Sequence, residues 1–234
     1  MASARRKKNN IIHLQREDGS WTENDNEIRI VACGYFEGIF DESNSATNYL
    51  HVLDRFNPNF DSSMNDELIK PFLAEEFKVA VSQMHPDKSP GSDEFNPKFF
   101  QNFWNMVGED VYHSCCSWLD SMSFPPDLNH TLVTPHSKAI HFMKRKTRGK
   151  HGSLALKIDI SKAYDRVDWG YLDAILQMMG FCDKWRAWMN LCVRTVSYEV
   201  LVNGEAIGPI IQGRGLRQGD PLSPYLIILC AEGL

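Results

Sequence analysis

Apolar and polar positions change their spacing several times along the chain, and each change marks an element. From Ile28 to Phe40 the residues Ile28, Val31, Ala32, Tyr35, Phe36 and Phe40 recur at helical intervals, which predicts an amphipathic helix with an inward aromatic face. Gly19-Ser20-Trp21 ahead of it reads as a turn, and Asp41–Asp66 is polar, contains Pro58 and reads as a long loop with short helical pieces. Helical spacing returns over Ala74–Met84, with Glu75 and Glu76 in the first turn where the helix dipole favours them. A break rich in proline and glycine, His85–Asp93, follows. Pro97–Val107 then starts with proline at the first helical position and carries Phe99, Phe100, Phe103, Trp104 and Val107 inward. Gly108 is expected to separate it from a second helix, Val111–Met122, ended by Phe124-Pro125-Pro126.

The second half alternates. Leu154, Leu156 and Ile158 predict a buried strand that delivers Asp159 to its end. Asp168 is placed to cap a helix through Tyr171, Leu172, Ile175, Leu176 and Met179, stopped by Gly180. Another helix, Lys184–Arg194, comes next. Ser197–Val202 and Ala206–Ile211 then flank Asn203-Gly204, the strongest short-range signal for a hairpin, with Pro209 pushing the second strand toward a sheet edge. A polar glycine-rich turn from Gly213 leads into a helix near Pro224. Strands and helices mixed in this order predict an α+β fold.

Composition narrows the classes without choosing among them. The 234 residues are 43% hydrophobic, enough for one sizeable core or two small ones, and no apolar run approaches membrane-spanning length. Six cysteines without C-x-x-C spacing fit buried thiols in a reducing, intracellular compartment, and the N-terminus lacks the apolar stretch of a secretory signal. The net charge of −5 conceals an asymmetry: Arg16–Asp127 is strongly acidic, whereas the first fifteen residues and Leu128–Leu234 are both basic. The densest basic run holds Lys144, Arg145, Lys146, Arg148 and Lys150. It is a candidate for gripping a nucleic-acid backbone by counterion release, or else a solvated loop.

Two segments carry candidate chemistry. A carboxylate at a strand end, Asp159, suits a hard cation that shares oxygen ligands with phosphates; its plainer role is to cap the next turn. Tyr164 lies five residues on. In the second segment, Gly219 permits close backbone approach and Gln218 offers both a donor and an acceptor. Arg217 is either a phosphate ligand or an exposed arginine. No G-x-x-x-x-G-K-[ST] loop is present, and Gly213-x-Gly215 lacks the next glycine of the dinucleotide fingerprint, which argues against an unrelated phosphate enzyme.

Asp159-Ile160-Ser161-Lys162-Ala163-Tyr164-Asp165-Arg166-Val167 resembles the first palm motif of reverse transcriptases in non-LTR (LINE-type) retrotransposons, and Gly215-Leu216-Arg217-Gln218-Gly219-Asp220-Pro221-Leu222-Ser223-Pro224 resembles the second. The resemblance reaches upstream to the Lys88–Asp93 loop. It implies RNA-directed DNA polymerisation by two-metal nucleotidyl transfer, with magnesium bound through Asp159 and the Ile160 carbonyl. Tyr164 would pack under the sugar of the incoming nucleotide, Gln218 and Gly219 would contact the template–nucleotide pair, and Arg217 is the candidate for a nucleotide phosphate. Implied partners are an RNA template, a DNA primer and deoxynucleoside triphosphates.

The same resemblance predicts a basic linker over 1–15, a helical extension and the start of the fingers over 16–135, and a partial polymerase palm over 136–234. The family's aromatic-x-Asp-Asp motif is not found in these residues, and His136-Ser137-Lys138 runs directly into the basic segment where a longer fingers stretch is expected. The expectation is therefore an internal deletion and a chain that is inactive alone. The alternatives are a nucleic-acid-binding remnant without catalysis and a domesticated interaction module. Asp165, Asp168 and Asp173 are expected to be helix-start and surface carboxylates rather than metal ligands.

Overall fold

The computed structural model describes residues 11–16, 18–41, 60–88, 90–91, 93–133 and 164–232. Within them lie helices α1 (Asp25–Phe40), α2 (Ser62–Leu68), α3 (Ala74–Gln83), α4 (Pro97–Ser121), α5 (Trp169–Met178), α6 (Asp183–Arg194) and α7 (Ser223–Ala231). Three strands, β1 (His130–Val133), β2 (Ser197–Val202) and β3 (Glu205–Ile211), complete the mixed architecture. The predicted strand ending at Asp159 lies outside the described residues.

Sheet order is β1-β2-β3, with β1 parallel to β2 and β3 antiparallel to it. The hairpin forms where its signal stands: Asn203 and Gly204 have φ of 53° and 93°, the left-handed pair that matches the twist of the flanking strands. Pro209 is in β3, the outer strand among the described residues, at the irregularity where the β2–β3 register shifts between Tyr198 and Val200. Strand β1 carries too short a pattern to be read from sequence, and its partner lies 67 residues on.

Two apolar clusters form the core. One gathers Ile28, Ala32 and Phe40 of α1 under the hairpin residues Tyr198, Val200, Val202 and Ile210; the Phe40 and Tyr198 rings stack at 5.1 Å. The other unites α5, α6 and α7 through Leu172, Ile175, Leu176, Val193, Leu226 and Cys230, and includes Val167, Trp169 and Leu216. Fully burying a side chain such as Ile175 or Leu226 contributes about 1.5–3 kcal/mol, so this cluster anchors whatever is attached to it.

Helix ends follow the sequence signals. Asp168 accepts from the Tyr171 N–H at 2.8 Å and caps α5; Gly180, at φ 94°, turns the chain out of it. Asn24, Asp61 and Asn96 cap α1, α2 and α4 in the same way. Gln101 closes the end of α3, donating to the carbonyls of Val81 and Met84.

Three expectations need correction. Gly108 does not end a helix: α4 spans Pro97 to Ser121, and the break in its helical backbone falls at a kink at Phe103 (φ −110°, ψ 17°) instead. The glycine is there because the Trp104 indole crosses it, and a Cβ would stand 2.6 Å from that ring. Second, Tyr35 and Phe103 lie on the exposed sides of α1 and α4, at 55% and 46% exposure. The described residues packed on each helix cover a narrower stripe than the apolar pattern offers. Third, Ile11–Gln15, read as the end of a loose basic segment, is extended. Ile11 and the Asn203 side chain exchange two hydrogen bonds, of 2.7 and 2.9 Å, across the hairpin tip.

Candidate functional site

The second motif folds as a polar turn, Gly213–Asp220, between β3 and α7. Its near end is tied down by Gly213 donating to the Phe40 carbonyl at 3.0 Å and Arg214 Nε donating to the Ile39 carbonyl at 2.8 Å. At its far end, Asp220 accepts from the Leu222 N–H at 2.8 Å, leading into α7 with Pro224 in the first turn.

Between these ends the turn docks on the last residues of the first motif. Tyr164–Arg166 form a short 3₁₀ turn. The Leu216 N–H donates to the Tyr164 carbonyl at 2.6 Å, the Gly215 N–H to the Val167 carbonyl at 2.7 Å, and the buried Trp169 indole to the Gly215 carbonyl at 2.7 Å. Gly215 must be glycine twice over: its φ is 97°, and a Cβ would lie 2.7 Å from Gln212 Nε2 and 2.9 Å from the Asp165 carbonyl oxygen. The two segments singled out in the sequence thus meet main chain to main chain. Tyr164 is half-buried at the junction, and Gln218 and Gly219 stand exposed just beyond Leu216. Gly219, at φ 87°, has open space around it and presents bare backbone to solvent.

Arg217 is neither an idle exposed side chain nor open to solvent throughout. Its Nη2 donates to the main-chain and side-chain oxygens of Asn129, the former at 3.2 Å, and its Nε is buried. Asn129 in turn donates to the Cys192 carbonyl and Thr195 Oγ1, both at 2.9 Å. Asn129 therefore joins the entry to β1, the end of α6 and the turn. Sequence reading passed over it, since a lone Asn before a short strand carries no signal.

Burial sets the electrostatics around the turn. It raises the Tyr198 phenol to about 12, moderated by Arg217, and raises the Cys192 thiol to about 11. These groups are neutral near pH 7, and the charges felt there among the described residues include the cation of Arg217 and the carboxylates of Asp165 and Asp220.

Asp159 and Ile160, expected at the metal, and Lys144, Arg145, Lys146, Arg148 and Lys150, expected on nucleic acid, lie outside the described residues. Among the described residues no group of three His, Cys, Asp or Glu side chains is placed to hold a metal ion. Asp168 and Asp173 are accounted for structurally, as the α5 cap and as partner of Arg186 and Asn190. No helix among the described residues is long and apolar enough to cross a membrane.

Comparison with known proteins gives the family. The family model for reverse transcriptase (RNA-dependent DNA polymerase) matches residues 117–234, half of the chain, which takes in Tyr164 and the Gly213–Asp220 turn. The transposon TX1 uncharacterized 149 kDa protein of Xenopus laevis is 24% identical over 284 residues, which takes in 95% of this chain and 21% of that protein. An uncharacterized mitochondrial protein of Arabidopsis thaliana is 62% identical over 34 residues, 14% of this chain and 28% of its own length. The chain thus spans about a fifth of the length of the transposon protein.

Proposed function

Because this chain belongs to the reverse transcriptase family, we propose that its Tyr164 and its Gly213–Asp220 turn form the nucleotide-receiving face of an RNA-directed DNA polymerase palm from a non-LTR retrotransposon. The observation that carries the reading is the pair of main-chain bonds from Leu216 to Tyr164 and from Gly215 to Val167, which hold two segments fifty residues apart in one fixed relation.

Each exposed group then has a task. The Tyr164 ring lies under the sugar and excludes a ribose 2′-OH, the group that separates RNA from DNA precursors. The Gly219 backbone admits the template–nucleotide pair closely, and the Gln218 amide donates and accepts across it. Arg217, held by Asn129, keeps these two residues at a constant height above the sheet and acts as a positioning residue. The helices α1–α4 serve as an extension around this half-palm, with residues 1–15 as a basic linker, 16–135 as extension and start of the fingers, and 136–234 as palm.

The family reaction is generally magnesium-dependent. The proposed ligands are Asp159 and the Ile160 carbonyl; the described side chains do not by themselves make a metal site, so no step is derived through the ion. The basic run Lys144–Lys150 is proposed to grip the RNA template or DNA primer through its phosphates.

Tyr164→Ala tests the reading. With deoxynucleoside and ribonucleoside triphosphates compared for binding in the presence of magnesium, the parent is expected to favour the deoxy form and the variant to lose that preference. A parent without preference, or a variant that keeps it, contradicts the proposal.

A further inference from the structure

We propose that Gln212 is a positioning residue of the nucleotide site, its amide closing onto the main-chain carbonyl of Asp165 when the two turns draw together around a bound nucleotide. The inference rests on the reading of the site given above and deepens it.

Gln212 is 3% exposed, and neither Nε2 nor Oε1 has a hydrogen-bond partner. Four buried side-chain atoms among the described residues lack a partner, and three of them belong to Gln212 and Arg217, at the foot of the turn and on it. Buried amides are nearly always paired, because the lost hydration is otherwise uncompensated. An unbranched apolar side chain of similar length would fill this space without that loss. Packing therefore does not account for the amide, whereas a bond made in one state of the site and open in another does.

The partner is marked by Gly215. The position its Cβ would take is 2.7 Å from Gln212 Nε2 and 2.9 Å from the Asp165 carbonyl oxygen, so donor and acceptor border the same small space, kept clear because residue 215 has no side chain. Bonds to the carbonyls of Tyr164 and Val167 already flank this point. A Gln212–Asp165 bond adds a third link between the two segments and fixes Tyr164, whose ring packs on the cluster around Leu216, relative to the turn that carries Gln218 and Gly219. The gain appears as tighter nucleotide binding, while the empty state bears an unpaired amide.

The test uses the full chain with dTTP and magnesium, binding read by equilibrium dialysis and stability by thermal melting without nucleotide. Gln212→Met is expected to melt at or above the parent temperature and to bind dTTP about tenfold more weakly, the scale of one lost hydrogen bond. Gln212→Glu, which keeps the length but not the N–H donor, is expected to weaken binding likewise. Undiminished dTTP binding by Gln212→Met overturns the inference and leaves the site reading intact. A Gln212→Met variant that melts well below the parent also overturns it, since the amide would then be satisfied in the empty state. A parent that binds no dTTP overturns the site reading and this inference with it.

Discussion

The Trp169 indole Nε1 donates to the Gly215 carbonyl at 2.7 Å inside the core, and this bond joins the helix that follows the first motif to the turn of the second. Trp169 is 7% exposed and belongs to the cluster that includes Leu172, Leu216 and Leu226, so the turn is fastened to that buried cluster. Trp169→Phe keeps most of the ring and removes the donor. Leaving the Gly215 carbonyl buried without this donor is expected to destabilise the chain by about 1–3 kcal/mol, read as a shift of the urea midpoint without a change of slope.

The two glycines of the second motif differ in kind, and alanine separates them. At Gly215 a methyl meets both a left-handed φ and the backbone of Asp165; at Gly219 it meets the φ alone. Gly219→Ala is expected to cost about 1–2 kcal/mol, the ordinary penalty of a left-handed residue. Gly215→Ala is expected to cost clearly more. Parallel denaturation curves check the order, and equal losses would mean that the close approach at Gly215 is not tight.

Alkaline pH should loosen the fold from within. Burial lifts Tyr198 from an ordinary 10 to about 12, Cys230 from 9 to about 12 and Cys192 from 9 to about 11. Each is an acid that the folded chain keeps protonated and the unfolded chain releases sooner. Their contribution is full below pH 9, shrinks as pH rises from 9, and is lost once pH passes the folded values near 11 and 12. Melting temperature is expected to fall over that range, and less steeply in Cys230→Ala. Tyrosinate absorbance should show the phenols of Tyr198 and Tyr171 titrating late.

Local signals survived in the sequence, and signals that depend on a distant partner did not. Asn203-Gly204 and the Asp168 cap act within four residues and formed where expected. The turn at Gly213–Asp220 was legible because glycine and polar residues cluster there. The role of Arg217 was not: its partner, Asn129, is 88 residues away. Gly108 misled for a similar reason, because what it accommodates is the Trp104 indole rather than a change of direction. Tyr35 and Phe103 show that an apolar stripe states what a helix can bury, while the neighbouring layer decides how much of it is covered.

Photocrosslinking most directly tests whether these residues face a nucleotide. The chain would be irradiated with 4-thio-dTTP, magnesium and a primed RNA template, and the adducts mapped by mass spectrometry. Adducts on Tyr164 or within Arg217–Gly219, competed by dTTP more strongly than by UTP, are the predicted result. Adducts confined to other segments, or equally competed by UTP and dTTP, would contradict it.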